Sequence, residues 1–198
     1  MELAASVLAI LLASGALKEG HFVLSSGRHS DQYIEKFDLL RQPGATSEVC
    51  RLIAERFRDH KIDVVVGPTT GGVILAFEVG RQLGAAAAYA ERLPNAEGGR
   101  EFRRGTIFGT GDRALVVDDI LTTGGSLRET LDALASYPVE VVGVAVLVDR
   151  SGGELDLGVP YLALATMDIS TWEASVCPMC RRGEPVVKPG TTPIAGSI

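Results

Sequence analysis

The stretch LVVDDILTTGGS, residues 115–126, decides the fold. It begins with aliphatic residues, continues with two adjacent carboxylates, and ends in a turn that contains glycines and hydroxyls. An amphipathic segment follows, in which Leu127, Leu131 and Leu134 share one helical face. A buried strand that leads through a tight turn into a helix is the repeating unit of parallel α/β proteins.

The same strand–turn–helix order occurs elsewhere in the chain. We predict strands at Ile62–Val66, Ala85–Ala90, Leu115–Val117 and Val139–Val148, and helices around Leu3–Leu11, from Ser47, and at Val73–Leu83 and Ser126–Ala135. The strands are nearly continuous in apolar residues, which indicates burial on both faces. The pattern therefore predicts an α/β fold with a mostly parallel, doubly wound sheet and helices on both of its faces.

Composition and charge exclude several classes of protein. The chain has 198 residues, of which 46% are hydrophobic, and a formal net charge of −6. These values are not those of a disordered chain or of a general nucleic-acid binder. The apolar run at residues 7–13 is far shorter than the roughly 20 residues of a membrane span, and three cysteines do not make a disulfide framework. We expect a single-domain cytoplasmic protein that binds neither nucleic acid nor membrane.

The turn after the strand at residues 115–117 has the composition of a phosphate site. A helix N-terminus leaves backbone N–H groups unpaired, glycines let the backbone curl around an anion, and hydroxyls add donors. Asp118 and Asp119 would repel a phosphate, so we expect them to face sugar hydroxyls or a magnesium ion. Taken singly, the residues also fit a structural role, in which the aspartates cap the turn and Ser126 is a helix N-cap.

Two segments depart from the α/β pattern. Residues 92–111 hold four arginines and five glycines, and we interpret them as a functional flap or a disordered segment. The tail, residues 177–198, is rich in Pro, Arg and Gly from Pro178 onward, which predicts a surface or mobile position. Within it, Cys177 and Cys180 form a C-x-x-C pair. This pair fits an ordinary turn, a redox pair, or half of a zinc site that a second copy of the chain would complete.

The segment VVDDILTTGGS, residues 116–126, resembles the signature for phosphoribosyl pyrophosphate (PRPP) of the type I phosphoribosyltransferases. Residues 22–33, FVLSSGRHSDQY, resemble the N-terminal pattern of the orotate branch of that family, and Val148-Asp-Arg150 resembles its strand-end arginine. Together these matches span about residues 11–153. The resemblance implies one phosphoribosyltransferase domain at residues 1–176, with an N-terminal hood at 1–46 that binds the base, a flexible flap at 92–111, and a tail at 177–198.

The resemblance also implies a role for each matched residue. Asp118 and Asp119 would hold the ribose hydroxyls as catalytic groups, and both could touch a Mg²⁺ ion that arrives with PRPP. The phosphate and pyrophosphate groups of PRPP would lie against Thr69, Thr70, Gly71, Gly72, Arg92, Thr122, Thr123, Gly124, Gly125 and Ser126. The orotate end would be formed by Ser26, Tyr33, Thr122 and Arg150. An arginine suits an anionic pyrimidine because its guanidinium donates two parallel hydrogen bonds.

The flap departs from the family pattern. Many relatives carry Lys and His in this loop, which reach the pyrophosphate in the partner subunit of a dimer, whereas residues 92–111 contain neither. Arg100 and Arg104 are therefore our candidates for the catalytic cations, with Arg92 as a contact at the strand end. Many relatives also have Lys at the position of Ser25 and in the turn that holds Thr69 and Thr70.

The resemblance implies transfer of phosphoribosyl from PRPP to orotate, with release of pyrophosphate and formation of orotidine 5′-monophosphate, a step of UMP biosynthesis. It implies Mg²⁺ as cofactor and a homodimer in which the flap reaches the partner's active site. Two alternatives stay open, a phosphoribosyltransferase for another nucleobase and a PRPP-sensing regulator without catalysis. The missing Lys and His of the flap motivate the second alternative.

Overall fold

The computed structural model of the chain describes residues 2–24, 26–94, 98–153 and 155–189. The helices are α1 (Glu2–Ala13), α2 (Lys36–Leu40), α3 (Pro43–Phe57), α4 (Gly71–Leu83), α5 (Gly125–Leu134) and α6 (Pro178–Arg181). The strands are β1 (Leu17–Val23), β2 (His29–Ile34), β3 (Val64–Pro68), β4 (Ala86–Arg92), β5 (Arg100–Glu101), β6 (Arg113–Leu121), β7 (Glu140–Asp149), β8 (Tyr161–Thr166) and β9 (Thr171–Trp172). Short 3₁₀ helices cover Arg58–His60 and Ala174–Val176.

The strands form two sheets. The larger sheet has the order β5-β4-β3-β6-β7-β8, and its strands are parallel except for β5, which runs antiparallel to β4. The smaller sheet is antiparallel and has the order β1-β2-β9. The mostly parallel central sheet confirms the predicted fold class.

The core lies on both faces of the larger sheet. Side chains alternate between the two faces of a strand, so neighbouring residues enter different clusters. Val65 and Leu115 belong to the cluster that contains residues of α1, α3 and α4, whereas Val64 and Val116 belong to the cluster that contains residues of α5. Burial of each such side chain stabilises the fold by about 1.5–3 kcal/mol. Helices therefore cover both faces, as the continuous apolar strands predict.

Strand β6 is longer than the sequence pattern predicts. It pairs with β7 as far as Leu121, opposite Asp149, and Asp118 lies opposite Val146. The prediction that a turn begins at Asp118 is therefore wrong, because backbone pairing with β7 continues through the two carboxylates. Asp118 and Asp119 are strand residues, with only 6% and 3% of their surface exposed.

The C-terminal segment packs on the smaller sheet. The backbone N–H of Val23 donates to the carbonyl of Val187 (2.9 Å), and the N–H of Val187 donates to the carbonyl of His21 (2.8 Å). Hydrogen bonds at Val187 thus hold the tail on the smaller sheet, and residues 190–198 of the predicted tail lie outside the described residues. Within the described ranges, no helix has the length and apolar character that crossing a membrane requires.

Candidate active site

The site lies at the point where the winding of the sheet reverses. The five parallel strands follow one another in space as β4-β3-β6-β7-β8, so β3 and β6 are neighbours although β4 lies between them in the chain. The helices that follow β3 and β6 pack into different core clusters. In open α/β sheets, ligands bind beyond the carboxyl ends of the strands at such a reversal. Here the turns after β3 and β6 meet.

Two buried carboxylates stand at the carboxyl end of β6. Asp118 Oδ2 accepts a hydrogen bond from Ser126 Oγ (2.8 Å), and Oδ1 accepts one from the backbone N–H of Asp119 (2.9 Å). Asp119 Oδ1 accepts a hydrogen bond from the N–H of Ile120 (2.8 Å). The chain thus holds two neighbouring carboxylates in fixed orientations and out of contact with bulk water.

Burial and mutual repulsion perturb this acid pair. Burial, followed by the charge of Asp119, raises the pKa of Asp118 from 3.8 to about 6. The hydrogen bonds from Ser126 and from the Asp119 backbone, and the charge of Lys36, act in the opposite direction. A carboxylate held in this way gains from any neutral donor or cation that enters the site.

Lys36 is a site residue that the sequence pattern did not reveal. Its Nζ lies 3.1 Å from Asp119 Oδ1 and 3.0 Å from Oδ2. It stands at the first residue of the five-residue helix α2, directly after β2, where no motif marks it. The sequence signal for Lys36 is its position three residues after Tyr33, which lies in β2 within the predicted base-binding segment.

The turn after β6 is built around Gly124. This residue is the N-cap of α5 and adopts a left-handed conformation with φ of 76°. A Cβ at this position would also lie 2.6 Å from Leu155 Cδ2. No side chain caps the N-terminus of α5. Its first N–H groups therefore face the turn, where Thr122 and Thr123 are exposed.

Ser126 has a different structural role from the capping alternative. It lies one residue inside α5, behind Gly124 and Gly125, and donates its hydroxyl to Asp118. The interpretation of Ser126 as the N-cap is therefore wrong, because the left-handed Gly124 occupies that position. The interpretation that the two aspartates only cap the turn is wrong for a related reason, since both belong to β6.

The turn after β3 packs directly on the acid pair. The peptide bond between Thr69 and Thr70 is cis, and Gly71 begins α4. A Cβ built on Gly71 would lie 1.8 Å from Asp119 Oδ2. Only glycine therefore permits this close approach of the first turn to the second. Thr70 is exposed, and Gly72 is buried against the backbone of Gly67.

The arginines of the flap occupy different environments. Arg100 is 8% exposed, and its Nη1 donates to Thr69 Oγ1 (3.1 Å), to the carbonyl of Thr69 (3.3 Å) and to that of Ala90 (3.1 Å). Its Nε lies 3.3 Å from Glu129 Oε2. Burial lowers the pKa of Arg100, while the carboxylates of Glu129 and Asp118 raise it. Through its hydrogen bonds to Thr69, Arg100 thus stabilises the turn after β3.

Arg104 is the more accessible arginine. Its side chain is 70% exposed, and its Nε donates to Glu91 Oε1 (2.9 Å). Arg103 forms an ion pair with Glu101, and Arg92 ends β4 in an exposed position. The described part of the flap is also held by aromatic contacts, listed here with their ring-centroid distances: Phe102–Phe108 (4.9 Å), Phe102–Tyr137 (5.5 Å) and Phe108–Tyr137 (4.8 Å). Residues 95–97 of the predicted flap lie outside the described residues.

Arg150 follows β7 at the same edge of the sheet. A cleft of about 420 Å³ is lined by Arg150 and by residues 151–153 and 166–169. Arg150 Nε is buried without a hydrogen-bond partner among the described residues. Burial lowers the pKa of Arg150, and the nearby Tyr33 raises it. Of the other residues predicted for the base, Ser26 lies in the exposed turn between β1 and β2, and Ser25 is outside the described residues.

The sequence-predicted residues therefore form two groups in space. Ser126 bonds to Asp118, Gly71 packs on Asp119, and Arg100 binds Thr69 in the turn after β3. Arg150 and Tyr33 form a second group, close enough to influence each other's charge. The oxygen donors of Asp118 and Asp119 fit a Mg²⁺ ion, which binds through one or two carboxylates together with substrate phosphates.

Three comparisons relate this arrangement to known proteins. Residues 38–176 match the family of the phosphoribosyl transferase domain. Over 185 residues the chain is 44% identical to the orotate phosphoribosyltransferase of Caldanaerobacter subterraneus, covering 93% of this chain and 96% of that protein. Over 178 residues it is 46% identical to that of Caldicellulosiruptor bescii, covering 90% and 92%. The crystal structure of the Aeropyrum pernix orotate phosphoribosyltransferase superposes with a TM-score of 0.67 at 32% identity, over 81% of this chain and 93% of that one.

Proposed function

The chain belongs to the phosphoribosyl transferase domain family and, within it, to the orotate phosphoribosyltransferases, and we infer that it transfers phosphoribosyl from PRPP to orotate. The products are orotidine 5′-monophosphate and pyrophosphate, so the enzyme is a pentosyltransferase of pyrimidine biosynthesis. One observation carries this inference beyond family membership. The buried Asp118–Asp119 pair stands directly before the left-handed glycine turn that begins α5.

We propose that PRPP lies across the two turns at the sheet reversal. The turn formed by Thr122, Thr123, Gly124, Gly125 and Ser126 would bind the 5′-phosphate through N–H groups and hydroxyls. Asp118 and Asp119 would accept hydrogen bonds from the two ribose hydroxyls, which are neutral and therefore compatible with carboxylates. The pyrophosphate would then lie against the turn formed by Thr69, Thr70, Gly71 and Gly72, with Arg92 at the end of β4.

Magnesium belongs to the same proposal. The family generally uses Mg²⁺ with PRPP. Asp118 and Asp119 would hold the ion together with oxygens of PRPP, and the bound ion would neutralise charge on the departing pyrophosphate. Because Mg²⁺ binds ionised carboxylates, the ion would counteract the burial and repulsion that raise the pKa of Asp118.

Arg150 is our proposed anchor for orotate. Its Nε is buried without a partner among the described residues, so a carboxylate or carbonyl oxygen of the base would satisfy a donor that is otherwise costly to bury. Tyr33 and Ser26 would complete this end of the site, with Thr122 between base and phosphate. The order of the groups along the edge of the sheet then follows the order of base, ribose and phosphate.

The reaction forms a bond between a ring nitrogen of orotate and the anomeric carbon of PRPP and breaks the bond from that carbon to pyrophosphate. The ring nitrogen gives its proton to solvent, so no strong base is required. What the residues supply is position and charge. The carboxylates orient the ribose, and a flap cation stabilises negative charge on the leaving pyrophosphate. Arg104 is our first choice for that cation because its side chain is exposed, although it pairs with Glu91, whereas Arg100 is buried against Thr69 and Glu129.

We propose in addition that the enzyme is a homodimer, in which the flap of one subunit reaches the active site of its partner. Arg104 supports this arrangement because its side chain is 70% exposed, so a partner's site could reach the guanidinium although it pairs with Glu91 of its own chain. A cytoplasmic location is our corresponding proposal for the cell, supported by the free thiols of the three cysteines.

A panel of bases tests the proposed function. Purified protein is mixed with PRPP, Mg²⁺ and either orotate, uracil, adenine or hypoxanthine, and pyrophosphate release is measured. We expect release with orotate only, together with loss of orotate absorbance. Release with another base would move the enzyme to a different branch of the family. Binding of PRPP without release with any base would instead indicate a regulator.

A further inference from the structure

Four side chains with nitrogen and sulfur donors meet between the smaller sheet and the C-terminal segment. His21 lies on β1, His29 begins β2, and Cys177 and Cys180 lie directly before and within α6. One ligand atom of each residue lies within 4.8 Å of the others. His21, His29 and Cys177 are more than nine-tenths buried, and Cys180 is exposed at the edge of the cluster. The proposed transfer reaction uses none of these groups.

Three of the four distances given below are close to the edges of a tetrahedron around one metal ion. With Zn–N and Zn–S bonds of about 2.1 and 2.3 Å, two nitrogens lie about 3.4 Å apart and a nitrogen and a sulfur about 3.6 Å apart. His21 Nε2 lies 3.5 Å from Cys177 Sγ and 3.6 Å from Cys180 Sγ, and His29 Nδ1 lies 3.3 Å from Cys180 Sγ. The two ring nitrogens are 2.7 Å apart. A small separation of the rings would complete the geometry.

The remaining nitrogen of His21 fixes which atom faces the cluster. His21 Nδ1 lies 2.9 Å from the carbonyl oxygen of Glu184. Because a carbonyl only accepts, Nδ1 carries the proton and donates it, which leaves a lone pair on Nε2 directed at the other three donors. A backbone carbonyl behind a metal-binding imidazole is the usual outer contact of zinc sites.

We propose that His21, His29, Cys177 and Cys180 bind one Zn²⁺ ion in a structural site. Two imidazoles and two thiolates, with the cysteines two residues apart, form a ligand set that zinc prefers, whereas magnesium and calcium require oxygen. All four coordination positions are filled by the protein, so the site has none open for a substrate. This proposal replaces the interpretation of the C-x-x-C pair as half of a zinc site between two chains. The two further ligands, His21 and His29, lie in the same chain.

The ion would join the smaller sheet to the C-terminal segment. It would link β1 and β2 to the segment that leads to Val187, which already bonds to Val23 and to the backbone of His21. The two histidine ligands also flank residues 22–28, the turn that carries Ser26. The site would therefore anchor that turn at both ends. This last consequence rests on the proposed function, whereas the metal site itself does not.

Metal content is the direct test. Protein purified under reducing conditions without an affinity metal is analysed by inductively coupled plasma mass spectrometry, and we expect about one zinc ion per chain. The variants Cys177→Ser, Cys180→Ser and His29→Asn should each lose at least about nine-tenths of it. The matched controls are Cys50→Ala, a buried cysteine outside the cluster, and His60→Gln, a histidine that ends the 3₁₀ helix after α3 and is also outside the cluster. Both should keep the wild-type content.

Two further measurements use only the wild-type protein, so a folding defect in a variant cannot affect them. Cobalt added to the metal-stripped protein should give intense visible absorption and a sulfur-to-metal band in the near ultraviolet, both characteristic of tetrahedral thiolate ligation. A strong chelator should lower the unfolding temperature by roughly 10 °C, and added zinc should restore it. Less than about one-tenth of a zinc ion per chain together with no cobalt spectrum would overturn the proposal. A disulfide between Cys177 and Cys180 in protein taken directly from cells would overturn it as well.

Discussion

Replacing Asp118 by asparagine should make the protein more stable and less active. Burial and the charge of Asp119 raise the pKa of Asp118 from 3.8 to about 6. A raised carboxyl pKa means that the folded state binds the proton more tightly than the unfolded state. The wild type is therefore most stable below pH 4 with respect to this group, and it loses stability as the pH rises through 6.

The size of the effect follows from the shift in pKa. About 1.4 kcal/mol for each pKa unit gives about 3 kcal/mol of lost stability once Asp118 is fully ionised. Asparagine avoids this loss without breaking hydrogen bonds. Its carbonyl oxygen can accept from the N–H of Asp119 while its amide group donates to Ser126 Oγ, because a hydroxyl both donates and accepts. We expect a gain of about 3 kcal/mol at pH 8 and about 1.5 kcal/mol at pH 5.

The assay is thermal and urea unfolding of both proteins from pH 5 to pH 8. A gain of 3 kcal/mol corresponds to about 6–12 °C in unfolding temperature for a domain of this size. Activity should fall about 10–150-fold in kcat/KM for PRPP, since a neutral amide replaces a charged acceptor of a ribose hydroxyl. Asp132→Asn, in the exposed part of α5, is the matched control and should change neither quantity. If the gain in the free energy of unfolding is equal at pH 5 and pH 8, or absent at pH 8, then ionisation of Asp118 does not destabilise the folded protein.

Four further substitutions separate the roles of the cations. Lys36→Met should lower stability by about 1–3 kcal/mol at pH 8 and weaken PRPP use, because Asp119 would lose its ion-pair partner; urea unfolding and the KM for PRPP measure this. Arg150→Ala should raise the KM for orotate about 10–150-fold, the value of a charged hydrogen bond, while the KM for PRPP stays within about twofold, as steady-state kinetics would show. Arg104→Ala should lower kcat at least about tenfold without a change in unfolding temperature. Arg100→Ala should lower both kcat and the unfolding temperature. It removes the contact with Thr69 in the turn after β3 and leaves Glu129 without its ion-pair partner.

Controls for these variants come from the same chain. Lys18→Ala removes an exposed ion pair with Asp38 and tests whether loss of any lysine has the effect expected of Lys36. Arg103→Ala removes a flap arginine that is paired with Glu101. A wild-type kcat in Arg104→Ala would refute the proposed flap cation, and an unchanged KM for orotate in Arg150→Ala would refute the anchor.

The sequence predicted the parallel core well because its signal there is local. An apolar run within each of β3, β4, β6 and β7 marks the strand, and α4 and α5 each show one apolar face. Glycine marks the ends of these elements in a way that backbone sterics dictate, as Gly84 does at the left-handed end of α4. The boundaries differ by a few residues, most of all at β6, where pairing with β7 extends the strand through Asp118 and Asp119.

The site residues were harder to predict where their roles depend on distant partners. Arg100 reads as a flap cation in the sequence, yet it is buried against Thr69, 31 residues away. Lys36 carries no motif, and its role follows from a carboxylate 83 residues away. The four residues of the proposed zinc site include His21 and Cys177, which are 156 positions apart. Spacing along the chain gives no sign of any of these contacts.

The sequence by itself determined the α/β fold class and the chemistry of the turn at residues 118–126, because both arise from the conformations and donors of neighbouring residues. Only the tertiary structure decided which charges neutralise one another, which flap arginine is buried and which is exposed, and that two histidines join the C-x-x-C pair. Those outcomes depend on the order of strands in the sheet and on the packing of the C-terminal segment against β1 and β2. Long-range packing sets the distances between groups, and distance and burial set the strength of their electrostatic and metal-binding interactions.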